Sequence, residues 1–407
     1  MNTRGYAIVT ASYWALTLTD GALRMLVTLY FHQLGYSPFD LALLFLLYEF
    51  CGIVTNLLGG WLGTRLGLRV MLLSGLGLQV IALLMLSFVQ ATWALALSVS
   101  YVMAAQALSG IAKDLTKLGS KSAVKAFVPE RDASTLFRWV GWLTGSKNAL
   151  KGLGFFMGGV MLSTIGFAMS LWIMAAGLMA VLMLATGHLT ASLGKSTRQV
   201  AFSQTFSRSS AINILSLGRL CLFSSRDVWF VVALPLFLIE VVGWNFAWVG
   251  ACLASWVIGY GLVQAVAPKA LRLAGAPIIT ARTAQICGSV LILVSGGLAM
   301  GASSVMPSIS LVLTGLAVFG IVFALNSSVH SYLVLAYAEF DTVAMDVGFY
   351  YMANAAGRLL GTLMSGWLYL ETGLVGCLWM SMGLVVTATG LMFALPSIKY
   401  ASVPTSK

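Results

Sequence analysis

Charge is what this chain has least of. Its 407 residues include 23 Lys or Arg and 12 Asp or Glu, only 9% of the total. Soluble domains average about 25%. So few charges cannot clothe the surface of a soluble protein of this length. That excludes a soluble enzyme and a disordered chain. Cysteine is scarce as well: Cys51, Cys221, Cys252, Cys287 and Cys377 are odd in number and form no C-x-x-C pair. Neither a disulfide framework nor a zinc site is supported. There is no Walker A loop, no H-E-x-x-H and no G-x-S-x-G. ATP hydrolysis, metalloprotease chemistry and a nucleophile elbow therefore lack their residues. No cofactor, metal or catalytic residue is expected, and an ion gradient is the expected energy source.

What the chain does have is apolar sequence. Hydrophobic residues make up 59%, and mean hydropathy is +0.94. A polytopic, all-α membrane protein is the class that remains. The net charge of +11 then reads as an excess of basic residues in cytoplasmic loops, not as a nucleic-acid footprint. The first apolar run contains Asp20 and Arg24 with no A-x-A site after it. It is expected to be a membrane helix and not a cleaved signal.

A bilayer crossing takes about 20 residues of helix. On that rule, spans are predicted at 8–31, 40–62, 70–89, 93–118, 138–163, 168–189, 211–241, 247–266, 278–300, 308–335, 344–370 and 374–395. Domains are expected at 1–189 (a six-helix half), 190–210 (a polar cytoplasmic linker) and 211–407 (a second six-helix half). With the N-terminus placed inside, Arg4, Arg65, Arg69, Arg131, Lys195, Arg198, Arg208, Lys269, Arg272, Lys399 and Lys407 all fall on the inner side. The outer loops hold no Lys or Arg. Both termini are therefore expected in the cytoplasm.

The halves repeat at an offset of 207 to 208 residues. Gly154, Gly159 and Gly166 map to Gly361, Gly366 and Gly373, Lys151 to Arg358, Asp20 to Asp227, and Gly67 to Gly275. Two parallel six-helix repeats are a transporter signature, with the substrate held between them. The pairs Gly141/Gly145 and Gly154/Gly158 have the G-x-x-x-G spacing that lets helices pack closely.

Ionisable residues inside a membrane are costly and usually face a cavity or a partner. Here Asp20, Arg24, Glu49, Lys147, Lys151, Arg219, Arg226, Asp227 and Arg358 fall in spans one, two, five, seven and eleven. Spans three, six and twelve have none, and span nine has only Arg282 in its first turn. The third helix of each three-helix unit is thus expected outside, facing lipid. Six of these residues are bases and three are acids, a surplus of three. Lys113, Asp114 and Lys117 raise it to four. A positive cavity suits an anionic substrate.

Lys147 and Lys151 share a helix face about 6 Å apart, with Asn148 beside them. An anion between two like charges would relieve their repulsion, although snorkelling to the interface is the alternative for Lys147. Lys113 and Lys117 begin a stripe continued by Lys121 and Lys125. The first two are read as an anion funnel, the others as solvated or facing headgroups. Arg24 and Asp20 are four apart and either pair with each other or act separately. Arg226 and Asp227 are adjacent, so each is expected to look elsewhere for a partner. Glu49 has no nearby base in sequence, and a lone membrane carboxylate is a candidate proton carrier. The substrate-binding set is therefore Lys147, Asn148, Lys151, Arg358, Arg24, Arg226, Lys113 and Lys117. The proton-coupling set is Asp20, Glu49 and Asp227. His330 is read as a structural residue.

The loop after span two carries Gly60, Arg65, Gly67 and Arg69 in the spacing of a major facilitator loop motif. Thr64 stands where that family has Asp and Leu68 where it has Arg. The segments Thr17–Val27, Ala107–Leu115, Leu143–Phe156 and Arg226–Pro235 resemble organoarsenical efflux permeases of the ArsJ type, a branch of that superfamily. The resemblance covers nearly the whole chain. It implies the major facilitator fold of twelve transmembrane helices in two pseudo-symmetric six-helix halves. It implies export of 1-arseno-3-phosphoglycerate across a bacterial inner membrane, giving arsenate resistance. The implied functional partner is glyceraldehyde-3-phosphate dehydrogenase, which makes that ester from arsenate. Proton antiport is the expected coupling. The open alternative is a transporter of another phosphorylated or organic anion. The partners expected in all are a small anionic substrate, protons and the lipid bilayer, with no nucleic acid.

Overall fold

The computed structural model describes residues 3–127, 133–189, 209–273, 279–303, 309–338 and 343–396. Every described element is an α-helix. Lipid offers backbone groups no hydrogen-bond partner, so a crossing segment must satisfy its own, and helices do this. The predicted linker at 190–210 and the loop with Glu339 and Asp341 lie almost wholly outside the described residues. So do the side chains of Arg65, Lys121 and Lys125.

The order is α1 (Thr3–Gln33), α2 (Pro38–Leu44), α3 (Leu46–Leu66), α4 (Leu68–Ser87), α5 (Leu95–Phe127), α6 (Ala133–Ile165), α7 (Phe167–His188), α8 (Ser210–Phe230), α9 (Ala233–Glu240), α10 (Phe246–Leu273), α11 (Ala281–Ala302), α12 (Ile309–Tyr337) and α13 (Val343–Phe393). Nine segments among the described residues are long and apolar enough to cross a membrane. The last of these folds into two arms at Gly373. With α1 and α6, of 31 and 33 residues, twelve crossings result. Helix α5 runs nine residues past the end predicted for span four.

Two predicted spans are broken helices. The second is α2 plus α3. Ser37 and Asp40 form a capping box around Pro38 at its start. The seventh is α8 plus α9, and Pro235 explains the break. Proline has no N–H for the carbonyl one turn back, and its ring crowds that carbonyl. The amides of Val232 and Ala233, which lose their helical partners there, donate instead to Ser365 Oγ at 3.3 and 3.1 Å.

The repeat is visible in the backbone. Gly166 (φ 78°, ψ 178°) and Gly373 (φ 64°, ψ −161°) make the same tight turn between consecutive crossings. Only glycine occupies that region at low cost. Gly35 and Gly243, 208 positions apart, also share positive φ values of 83° and 77°. The fifth crossing packs on the first in each half through glycine. Gly154 and Gly158 lie against the backbone of Leu18 and Ala22, and Gly361 lies against Ser224 and Asp227.

The halves meet along α6 with α10 and along α13 with α2 and α3. These are the same two crossings of each half, exchanged. Gly159 abuts Phe246 and Gly250, and its repeat counterpart Gly366 abuts Pro38 and Ala42. Both contacts lie towards the face opposite the start of α1. His32 Nε2 and Glu240 Oε1 approach to 3.7 Å on that face, and Tyr369 donates to Glu240 Oε2 at 2.9 Å.

Candidate functional site

A cavity of about 360 Å³ lies between the halves. It is lined from α1, α3, α5 and α6 on one side and from α8, α10, α12 and the first arm of α13 on the other. None of its lining comes from α4, α7, α11 or the second arm of α13. Those helices carry exposed apolar side chains such as Ile81, Met183, Leu293 and Phe393, as lipid-facing helices do. Phe155, Phe230 and Trp256 form an apolar end, with Phe155 and Phe230 ring centres 6.2 Å apart across the seam. Lys147 sits eight residues before Phe155 on α6, or about 12 Å nearer the face where α1 begins.

The cavity charges form two networks. In the first, Glu49 Oε1 accepts from Arg24 Nη2 at 2.7 Å and from Arg358 Nη2 at 2.6 Å. Arg358 Nε also lies 3.4 Å from Asp227 Oδ2. Arg226 Nε donates to Asp227 Oδ1 at 2.6 Å. The network thus runs from α1 and α3 into α13 and α8, tying the halves together. Glu49 is fully buried, and its Oε2 has no partner among the described residues. In the second, Asp114 takes Lys117 at 3.0 Å and Lys113 at 3.6 Å. Lys117 also donates to Asn56 Oδ1 at 2.8 Å. Asp20 lies outside both networks and accepts from the Tyr48 hydroxyl at 2.5 Å. Arg24 and Lys113 lie over the Tyr48 ring. Asn148 Nδ2 donates to Gln264 Oε1 at 3.1 Å across the seam.

Residues 9–334 match the Major Facilitator Superfamily. The chain belongs to this superfamily. A solved structure described as a POT family transporter in complex with thioalcohol conjugated peptide shares its fold. The TM-score is 0.73 at 14% identity, over 98% of this chain and 97% of that one. No curated protein matches the chain. This major facilitator is therefore a multi-pass membrane transporter.

In this facilitator, Lys147, Asn148, Lys151, Arg358, Arg24, Arg226, Lys113 and Lys117 all line the cavity, as do Asp20 and Asp227. Glu49 does not. It lies behind Arg24 and Arg358 and is not the lone carboxylate expected from the sequence, because its bases come from other helices. Asp20 and Arg24 do not pair, although four residues apart. The expectation that Arg226 and Asp227 cannot pair is also wrong. The long Arg226 side chain folds back onto its neighbour, which needs no shared helix face. Arg219 belongs to the lining but was left out of the candidate set; its place on a charged α8 was the available signal. Tyr48 was missed altogether, since one tyrosine in an apolar run gives no signal. His330 is buried, with Nδ1 unpartnered among the described residues, and it does not line the cavity.

Proposed function

We propose that this transporter exports 1-arseno-3-phosphoglycerate from the bacterial cytoplasm across the inner membrane in exchange for protons, so conferring arsenate resistance. The observation that carries the reading is the charge of the cavity. Arg24, Lys113, Lys117, Lys147, Lys151, Arg219, Arg226 and Arg358 line it, against Asp20, Asp114 and Asp227, with Glu49 just behind. Even with all four acids ionised, the surplus is four. A low-dielectric cavity with that surplus concentrates multiply charged anions. Neutral or cationic cargo would face uncompensated positive charge. The identity of the anion rests on the resemblance of the segments that bear these same charges.

Under this reading the substrate's oxyanions dock on the lysines of α5 and α6 and on the guanidinium groups of α8 and α13. Glu49 holds Arg24 and Arg358 together while the halves are in this arrangement. A proton on Glu49 would weaken that grip and let the halves part, and Asp20 and Asp227 are the other candidate carriers. On this reading both termini lie in the cytoplasm, which the basic residues of the loops on that side support. Glyceraldehyde-3-phosphate dehydrogenase would supply the substrate inside the cell.

The test is arsenate resistance in an arsenic-sensitive bacterial host that expresses the chain alone, the dehydrogenase alone, or both. Resistance only with both is the expected result. Resistance that does not need the dehydrogenase would overturn the substrate. No resistance from a well-inserted protein would move the substrate to another phosphorylated or organic anion. Export unchanged after collapse of the pH gradient would overturn proton coupling.

A further inference from the structure

The carboxylates that line the cavity, and Glu49 just behind it, are already committed: Glu49 to Arg24 and Arg358, Asp227 to Arg226 and Arg358, Asp114 to Lys113 and Lys117, and Asp20 to Tyr48. Of the lining cations, Lys151 and Arg219 stand outside these arrangements, one in each half. Lys151 on α6 has its ammonium 5.6 Å from the Phe155 ring centre, and no carboxylate among the described residues pairs with it. Arg219 on α8 is 5% exposed and is likewise without a carboxylate. Neutral groups hold it. Nε donates to Asn354 Oδ1 at 2.9 Å, and Nη1 donates to the Ser327 carbonyl and hydroxyl oxygens, each at 3.0 Å. The rings of Phe223 and Tyr350 flank it at 4.1 and 5.1 Å. Ser327 is held in turn by Tyr260 and Gln264. All three of these bonds come from Nε and Nη1.

A buried guanidinium fixed by neutral partners keeps its full charge and a fixed direction. Leaving it without a counter-ion is costly. We infer that Lys151 and Arg219 are the two ends of one binding site, each taking one anionic group of a short substrate charged at both ends. This rests on the anion-transport reading above and deepens it. The ligand class is a small organic phosphate with a second anionic group at its far end. Such a molecule reaches across the seam and engages both halves, whereas a compound with one anionic end engages one. Charge-assisted hydrogen bonds from a fixed cation separate the two classes by about tenfold or more.

The test measures binding to the purified full chain in lipid nanodiscs, with two probes. 3-Phosphoglycerate carries a phosphate and a carboxylate at opposite ends, and glycerol 3-phosphate carries the phosphate alone. Wild type is expected to prefer 3-phosphoglycerate about tenfold. One of Arg219→Gln and Lys151→Gln should abolish that preference. The other should weaken both probes alike, because it removes the cation that holds the shared phosphate. Arg219→Lys, which keeps the charge, should bind between wild type and Arg219→Gln and stands in if the Gln variant fails to fold. Equal binding of the two probes by wild type, or unchanged isotherms in either variant, would overturn the inference alone. Binding of neither probe by folded wild type would overturn the anion-transport reading and this inference with it.

Discussion

Glu49 holds two guanidinium groups from opposite halves through a single oxygen. Removing that carboxylate leaves Arg24 and Arg358 side by side in a buried place with less counter-charge. Breaking a buried ion pair from one side costs about 3–5 kcal/mol. Glu49→Ala should therefore lower the unfolding temperature of the detergent-purified protein by several degrees and abolish transport. Arg358→Ala should be milder in stability, because Glu49 keeps Arg24. Its expected effect is loss of the resistance phenotype in a protein that still inserts, and Lys151→Ala should do the same. Full resistance in both Ala variants would remove them from the binding set. Which residues carry charge into the membrane was readable in the sequence, since a 20-residue apolar run makes each Asp or Arg conspicuous. Which of them pair was not. Arg24 passes over Asp20, one turn away, to reach a helix 25 positions on, and nothing in the local spacing encodes that choice.

The helices themselves were largely legible, because lipid forces the same solution on every crossing segment. Breaks and close approaches were legible where a special residue marks them. Gly154 and Gly158 were read as packing residues, and they sit against the α1 backbone. Any side chain there must push α1 and α6 apart. Gly154→Leu is expected to cost about 1–3 kcal/mol, seen as lower yield of folded protein and a lower melting temperature. Gly373→Ala is expected to cost a similar amount, about 1–3 kcal/mol, for backbone reasons alone, since nothing lies within 4 Å of the added carbon. The same substitution at Gly348, which lies in helical backbone with equally open space around it, should be harmless by the same melting assay. The break between α8 and α9 was not foreseen. Pro235 marks it in the sequence, but the acceptor that makes it tolerable, Ser365, lies 130 residues away.

At the scale of the whole molecule, the internal repeat was the most informative feature of the sequence. It correctly implied a cavity between two halves, and the clean third helices were correctly placed outside it. The seam residues were less visible, because they depend on which face of each half meets the other. His32 and Glu240 close the seam on the face opposite the start of α1. If the halves separate there during transport, tethering them should stop it. Cysteines at 32 and 240, in a background with the five native cysteines replaced, joined by a short bismaleimide, should lose most flux. Flux retained after complete cross-linking would show that the face stays closed throughout the cycle.

The surplus of cations in the cavity has an electrical consequence. Moving one elementary charge through a membrane potential is worth about 2.3 kcal/mol per 100 mV. Under the proposed exchange, the cavity turns back without its anion and carries its uncompensated cations, together with the incoming protons, through part of that field. A bound anion cancels part of that charge, so the anion-loaded carrier would feel the voltage less than the protonated one. The potential across the bilayer would then act chiefly on the returning protein, and so on how quickly the binding site is presented again.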